Sequence, residues 1–204
     1  MEKILSLTLK PDSLKTLSRF FQQGVLIKTL VGGSIQDLLI RDLGLTPEYL
    51  ETRIQTIFLN GKAVDDPARA IVRDGATLAL SGAMPGLVGA TFRRGGTYAS
   101  LRQAITLTAT EEPVSEREGQ VILKLFNLLV PEIGPLVLAK GFWITGKELD
   151  TFVENYPGNF WAPWAPVQVA GKDVDVQALG KTIWSPNKEE TVLIKITLRP
   201  NPSL

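Results

Sequence analysis

The sequence predicts an α+β fold, on three observations. Apolar residues alternate with polar ones near both ends, through Ile4, Leu5, Leu7 and Leu9 and again through Val192, Ile194, Ile196 and Leu198, the period of a half-buried strand. Between them, Ile35, Leu38, Leu39, Leu43 and Leu45 recur at helical spacing behind Ser34. Asn60-Gly61 and Asp74-Gly75 stand between short apolar runs, where tight reversals need residues that tolerate positive φ.

Each element follows in order. After the strand ending at Leu9, Pro11-Asp12-Ser13 breaks the chain, and Leu14, Leu17, Phe20 and Phe21 form the apolar side of a short helix ending at Gly24. Val25 to Val31 reads as a second strand, antiparallel to the first if the connection folds back. Ser34 suits an N-cap, because its hydroxyl can accept from an orphan N–H of the first turn, and Gly44 suits the stop. Thr46-Pro47-Glu48 opens another helix, with Pro where no N–H is needed and Tyr49, Leu50 and Ile54 on its buried side. Thr56 to Leu59 and Lys62 to Val64 form a hairpin about Asn60-Gly61, and Arg73-Asp74-Gly75 launches a strand over Ala76 to Leu80.

The composition, 44% hydrophobic and 21% charged over 204 residues, is that of a globular chain able to bury a core unaided. There is no histidine and no cysteine. That removes Ser-His-Asp triads, thiolate chemistry and the usual ligands of zinc, haem and iron–sulfur clusters. Carboxylate, Lys, Tyr, Arg, Ser or Thr chemistry is left, for instance through Asp65, Asp66 or Lys62, and a turn pair such as Asp65-Asp66 is ordinarily solvated. The expectation is a non-catalytic protein with no metal and no cofactor. A net charge of +1 gives no global field toward nucleic acid or a membrane surface. The start lacks the apolar run of a signal peptide, and Val121 to Ala139 is too polar to span a bilayer, so a soluble cytoplasmic protein is expected.

Ile57-Phe58-Leu59-Asn60-Gly61-Lys62-Ala63-Val64, followed by Val72-Arg73-Asp74-Gly75-Ala76-Thr77-Leu78-Ala79-Leu80, resembles the sulfur-carrier branch of the ubiquitin-like β-grasp superfamily, the small proteins of thiamine and molybdopterin synthesis. The resemblance implies a β-grasp mixed sheet with one main helix over residues 1–82. It also implies an adenylating-type enzyme as partner, if the chain acts as a carrier. Family carriers end in Gly-Gly. Here the pair Gly95-Gly96 is internal, in Phe92-Arg93-Arg94-Gly95-Gly96-Thr97, so the carrier reading requires processing after Gly96.

Residues 83–103 read as a Gly/Arg-rich connection. Arg93, Arg94 and Arg102 face no acid within residues 83–105, and glycine allows close backbone approach. Arg93, Arg94, Gly95, Gly96 and Arg102 are therefore the candidate contacts for a partner protein or a small anionic ligand.

Residues 104–204 read as an α+β C-terminal half. Ala104 to Ala109 suggests a strand. Ser115 and Glu118 have capping-box spacing, and the run Val121, Ile122, Leu125, Phe126, Leu128, Leu129 favours a helix, although a strand over Gln120 to Phe126 also fits. A short helix to Lys140, a helix opened by Thr145 and Glu148 with Leu149, Phe152 and Val153 inward and a stop at Pro157-Gly158, and a strand over Thr191 to Leu198 complete it. That last strand is expected to pair near Ile105 or with the N-terminal sheet. Trp161 and Trp164, in a loop with three aromatics and two prolines over residues 159–166, either anchor that loop or offer a second partner contact. Trp143 and Trp184 read as core. No internal repeat is evident.

Overall fold

The computed structural model describes residues 4–107, 114–155, 167–169, 172–174 and 189–199. In chain order its elements are β1 (Ile4–Leu9), α1 (Ser13–Gln23), β2 (Val25–Val31), α2 (Ile35–Asp37, continued by a π-helical turn over Leu38–Asp42), α3 (Pro47–Thr52), β3 (Thr56–Leu59), β4 (Lys62–Ala63), β5 (Ala76–Ser81), α4 (Gly86–Phe92), a 3-10 segment (Ala99–Ile105), β6 (Arg117–Phe126), α5 (Leu129–Lys140), β7 (Phe142–Thr145), α6 (Gly146–Asn155), β8 (Val167–Val169), β9 (Lys172–Val174) and β10 (Thr191–Leu198). The fold is α+β with mixed strand pairing. By contact it divides otherwise than after residue 82: Phe20–Gly134 form one compact unit, and Met1–Arg19 with Pro135–Leu204 form the other.

In the Phe20–Gly134 unit the strand order is β4-β3-β5-β6-β2, with β5 and β6 parallel and the other pairs antiparallel. Side chains alternate across a strand, so the register aligns one apolar face. Leu59, Leu78, Leu123 and Val25 form one buried row across four strands, and Ile57, Leu80 and Leu125 form the next. Ile35, Leu38, Leu39, Leu43, Leu45, Leu50 and Ile54 supply the helical part of this core. Ser34 caps α2 as expected: its hydroxyl accepts from Asp37 N–H, and the Asp37 carboxylate accepts from Ser34 N–H at 3.0 Å. Asn60 (φ 50) and Gly61 (φ 78) reverse the chain between β3 and β4.

Three sequence expectations are corrected. The helix favoured over Val121 to Leu129 is replaced, through Phe126, by strand β6, which pairs on both edges. Over residues 121–126 only Lys124 is polar, and so short an apolar run is not separated from a helix by periodicity; Glu118 accordingly lies in β6 instead of capping a helix. The strand expected over Ala104 to Ala109 is absent from its described part: Ala104 and Ile105 end the 3-10 segment, and Thr106 forms one parallel bridge to Ala63. β1 is not the antiparallel partner of β2; its neighbours are β10 and β8. Helix α1 separates β1 from β2 and prevents a hairpin.

In the other unit the order is β7-β10-β1-β8-β9, with β1 and β10 parallel. The last strand thus joins the first, one of the two pairings expected. Leu5, Leu7 and Leu9 are buried, as are Ile194, Ile196 and Trp143. Thr145 and Glu148 form the expected capping box of α6, with Leu149 buried. Trp161, Trp164, Trp184 and the Pro157-Gly158 stop lie outside the described residues, as do the side chains of Phe152 and Val153.

The two units follow one plan. Each has a strand, a capped helix, a hairpin and a parallel central pair, matched as β2 with β7, α2 with α6, β3 and β4 with β8 and β9, β6 with β10, and β5 with β1. The match extends to register: the row Leu59, Leu78, Leu123, Val25 corresponds to Val169, Leu5, Ile194, Phe142. It extends to sequence, since Gly61-Lys62-Ala63-Val64-Asp65 parallels Gly171-Lys172-Asp173-Val174-Asp175, and Lys124 parallels Lys195. Gly24 and Gly141 enter β2 and β7 with φ of 113° and 103°; a Cβ there would lie 2.6 Å from Ile122 or 2.8 Å from Leu193. A repeat therefore exists where none was read from the sequence, because the matching positions share strand register and conformation more than residue identity.

Candidate functional site

The Gly/Arg-rich segment belongs to the Phe20–Gly134 unit, and its shape starts from two contacts. Gly89 of α4 lies against the Met84 carbonyl so closely that a Cβ would fall 2.0 Å from that oxygen. Phe92, at the end of α4, tilts onto Phe58 of β3, with ring centroids 5.3 Å apart. Beyond α4 the chain leaves helical geometry at Arg93, and Gly95 takes φ 59°, which glycine adopts without steric penalty.

The arginines then divide into two kinds. The side chain of Arg102 is 2% exposed, and its guanidinium is spent on the protein itself. Nε donates to the Thr91 carbonyl at 2.8 Å, and Nη1 donates to the Thr106 hydroxyl at 2.9 Å. Nη2 donates to the Asp65 carboxylate at 2.5 Å. Arg94, 9% exposed, donates to the Leu50 carbonyl at 3.0 Å and reaches Glu51 at 3.4 Å. Arg93 is exposed. Gly95 N–H donates to Asp65, and Gly96 N–H donates to the Arg93 carbonyl at 3.2 Å, so the glycine pair is a hydrogen-bonded turn.

Asp65 is thus the acceptor around which the segment closes. Burial pushes its carboxyl up, but the hydrogen bonds from Arg102 and from Gly95 N–H outweigh that and hold it below the usual carboxylate range. Asp66 accepts from Ala68 N–H at 3.0 Å, a local turn bond. A cleft of about 340 Å³ beside them is lined by Gln36, Gln55, Glu51, Asp65, Asp66 and Arg94, among others. Three carboxylates against one engaged guanidinium make it a poor receptor for an anion. Among the described residues no group of His, Cys, Asp or Glu is placed to hold a metal ion, and no helix is long and apolar enough to cross a membrane.

What the sequence reading missed is the outer surface of the same segment. Leu87 and Val88 of α4 are each 66% exposed and Leu101 is 68% exposed, with Tyr98 and Ile105 exposed as well. These five large apolar side chains are left outward within residues 87–105. The available signal was Leu87, Val88 and Leu101, apolar residues in a Gly/Arg-rich connection for which no core partner was expected. A second cluster also escaped notice: Tyr49 O–H donates to Glu132 at 2.6 Å, and Arg53 pairs with the same carboxylate. Burial, with the hydrogen bond to Glu132 added, pushes the Tyr49 hydroxyl well above its ordinary range.

No family model matches the chain, and no curated protein and no solved structure matches it either.

Proposed function

We propose that this is a non-catalytic binding protein built on a β-grasp-like sheet, which docks a partner protein on the outer face of residues 86–105. The β-grasp reading is supported by the antiparallel, parallel, antiparallel run of β2, β6, β5 and β3, with the Ser34-capped helix between β2 and β3. It applies to residues 25–126, with β6 supplying the strand first assigned to β1.

The binding reading rests on one observation. Residues 86–105 turn Arg94 and Arg102 inward and leave Leu87, Val88, Tyr98, Leu101 and Ile105 outward. Exposed Arg93 falls between Val88 and Tyr98 in the sequence, with no acid in residues 83–105. The fitting partner is a protein segment with an apolar face and a carboxylate for Arg93, rather than a free anion. The carrier alternative, which requires a cut after Gly96, is not supported by the way Arg102 fastens the chain beyond that point to Asp65.

Affinity capture from the cells that make the protein tests the reading. Val88→Asp with Leu101→Asp should abolish recovery of a specific partner while thermal unfolding is unchanged, and Arg93→Glu should weaken it. Full recovery with the first pair removes the assignment.

A further inference from the structure

The two units realise one plan from differently cut chain. In the Phe20–Gly134 unit every strand comes from continuous sequence, and β5 reaches its place next to β6 through the Arg73-Asp74-Gly75 turn. In the other unit the matching strand is β1, from the opposite end of the chain. β1 is a central strand. It pairs with β10 over six residues and with β8 on its other edge, and it buries Leu5, Leu7 and Leu9.

We propose that the slot between β10 and β8 is a strand-acceptor site, filled within one chain by Ile4–Leu9 and open to the same strand of a second copy of this chain. The slot specifies its occupant: an extended segment parallel to β10, apolar at every second residue, with half-buried Ser6 and Thr8 between the leucines. A second copy satisfies that specification at every position. The link from β1 to α1 is Lys10-Pro11-Asp12, and all three residues are exposed. Redirecting this link changes the turn in which Ser13 N–H donates to the Lys10 carbonyl and Leu14 N–H to the Pro11 carbonyl, while the strand makes the same pairs in either chain, which is the condition for exchange. The in-chain strand has the advantage of proximity, an effective concentration in the millimolar range as an order of magnitude. Exchange therefore occurs when concentrated protein refolds.

The chain has no cysteine, so introduced thiols report the pairing directly. Ser6 faces Lys195 across β1 and β10, and the matched pair in the other unit is Ala79 with Lys124 across β5 and β6. Full-length Ser6→Cys and Lys195→Cys variants, one of them 15N-labelled, are mixed in urea, refolded at high concentration and oxidised. The same is done with Ala79→Cys and Lys124→Cys. The expected result is a disulfide-linked heterodimer at least tenfold more abundant for the first mixture, because β5 is held between chain segments on both sides. Equal yields from the two mixtures overturn the proposal. So does failure of the single chain carrying both Ser6→Cys and Lys195→Cys to link internally. Thr8→Cys with Thr197→Cys, the next outward pair, repeats the measurement if the first variants fold poorly.

Discussion

The Arg102 guanidinium, 2% exposed, donates to the Asp65 carboxylate at 2.5 Å and ties the 3-10 segment to the loop after β4. Removing one partner of such a pair leaves the other without compensation. Arg102→Ala also frees the Thr91 carbonyl, and it should cost about 3 kcal/mol. Asp65→Asn retains an acceptor for Arg102, and with Asp65 partly solvated it should cost about 1 kcal/mol. Urea unfolding checks both. The folded carboxyl lies below its unfolded value of about 3.9, so its contribution is present above that pH and is lost as pH falls toward the folded value. Arg102→Ala should flatten this acid limb of the stability profile.

Gly89 controls the shape of the proposed docking face. Alanine favours helix over glycine by about 1 kcal/mol, but here its Cβ would meet the Met84 carbonyl at 2.0 Å. The clash should win, since the obstacle is backbone. Gly89→Ala is expected to increase hydrogen exchange over residues 84–93 and to weaken partner capture as strongly as Val88→Asp with Leu101→Asp.

Gly24 and Gly141 provide a test of the shared plan. Both carry φ above 100°, and each lies against the strand paired with the one it opens: Ile122 and Lys124 of β6 for Gly24, and Leu193 and Lys195 of β10 for Gly141. Gly24→Ala and Gly141→Ala should each destabilise by about 2 kcal/mol in urea titration. Loss at one position and none at the other contradicts the equivalence.

Tyr49 should resist ionisation. Its folded value is raised, so its contribution to stability is present below an unfolded pKa of about 10 and is lost as pH rises through the folded value. Ultraviolet titration of the folded protein should show a phenol ionising well above the ordinary range, and Tyr49→Phe should remove it. Glu132→Gln should bring it down, since burial remains but the negative neighbour is gone.

The legible parts of this fold were those set by neighbouring residues. Ser34, Thr46 and Thr145 announce helix starts because a cap satisfies orphan N–H groups within one turn. Asn60-Gly61 announces its hairpin because the turn itself demands positive φ. β6 was half legible: a strand over Gln120 to Phe126 also fits the sequence, but its two edges are paired to β2 and β5, which lie far from it in the chain. The candidate site was half legible: Arg94, Gly95 and Gly96 do shape it, but the buried position of Arg102 depends on Asp65 and Thr91, which no local pattern brings near.

By itself the sequence determined the α+β class, the helix starts at Ser34, Thr46 and Thr145, the Asn60-Gly61 hairpin, and the absence of histidine and cysteine chemistry, because composition, alternation and capping act over a few residues. Only the tertiary structure decided that β1 lies between β10 and β8, that β6 is a strand, and that Arg94 and Arg102 point inward while Leu87, Val88 and Leu101 point out. Those outcomes depend on which buried surfaces meet and which buried charges find partners, and both are properties of residues far apart in the chain.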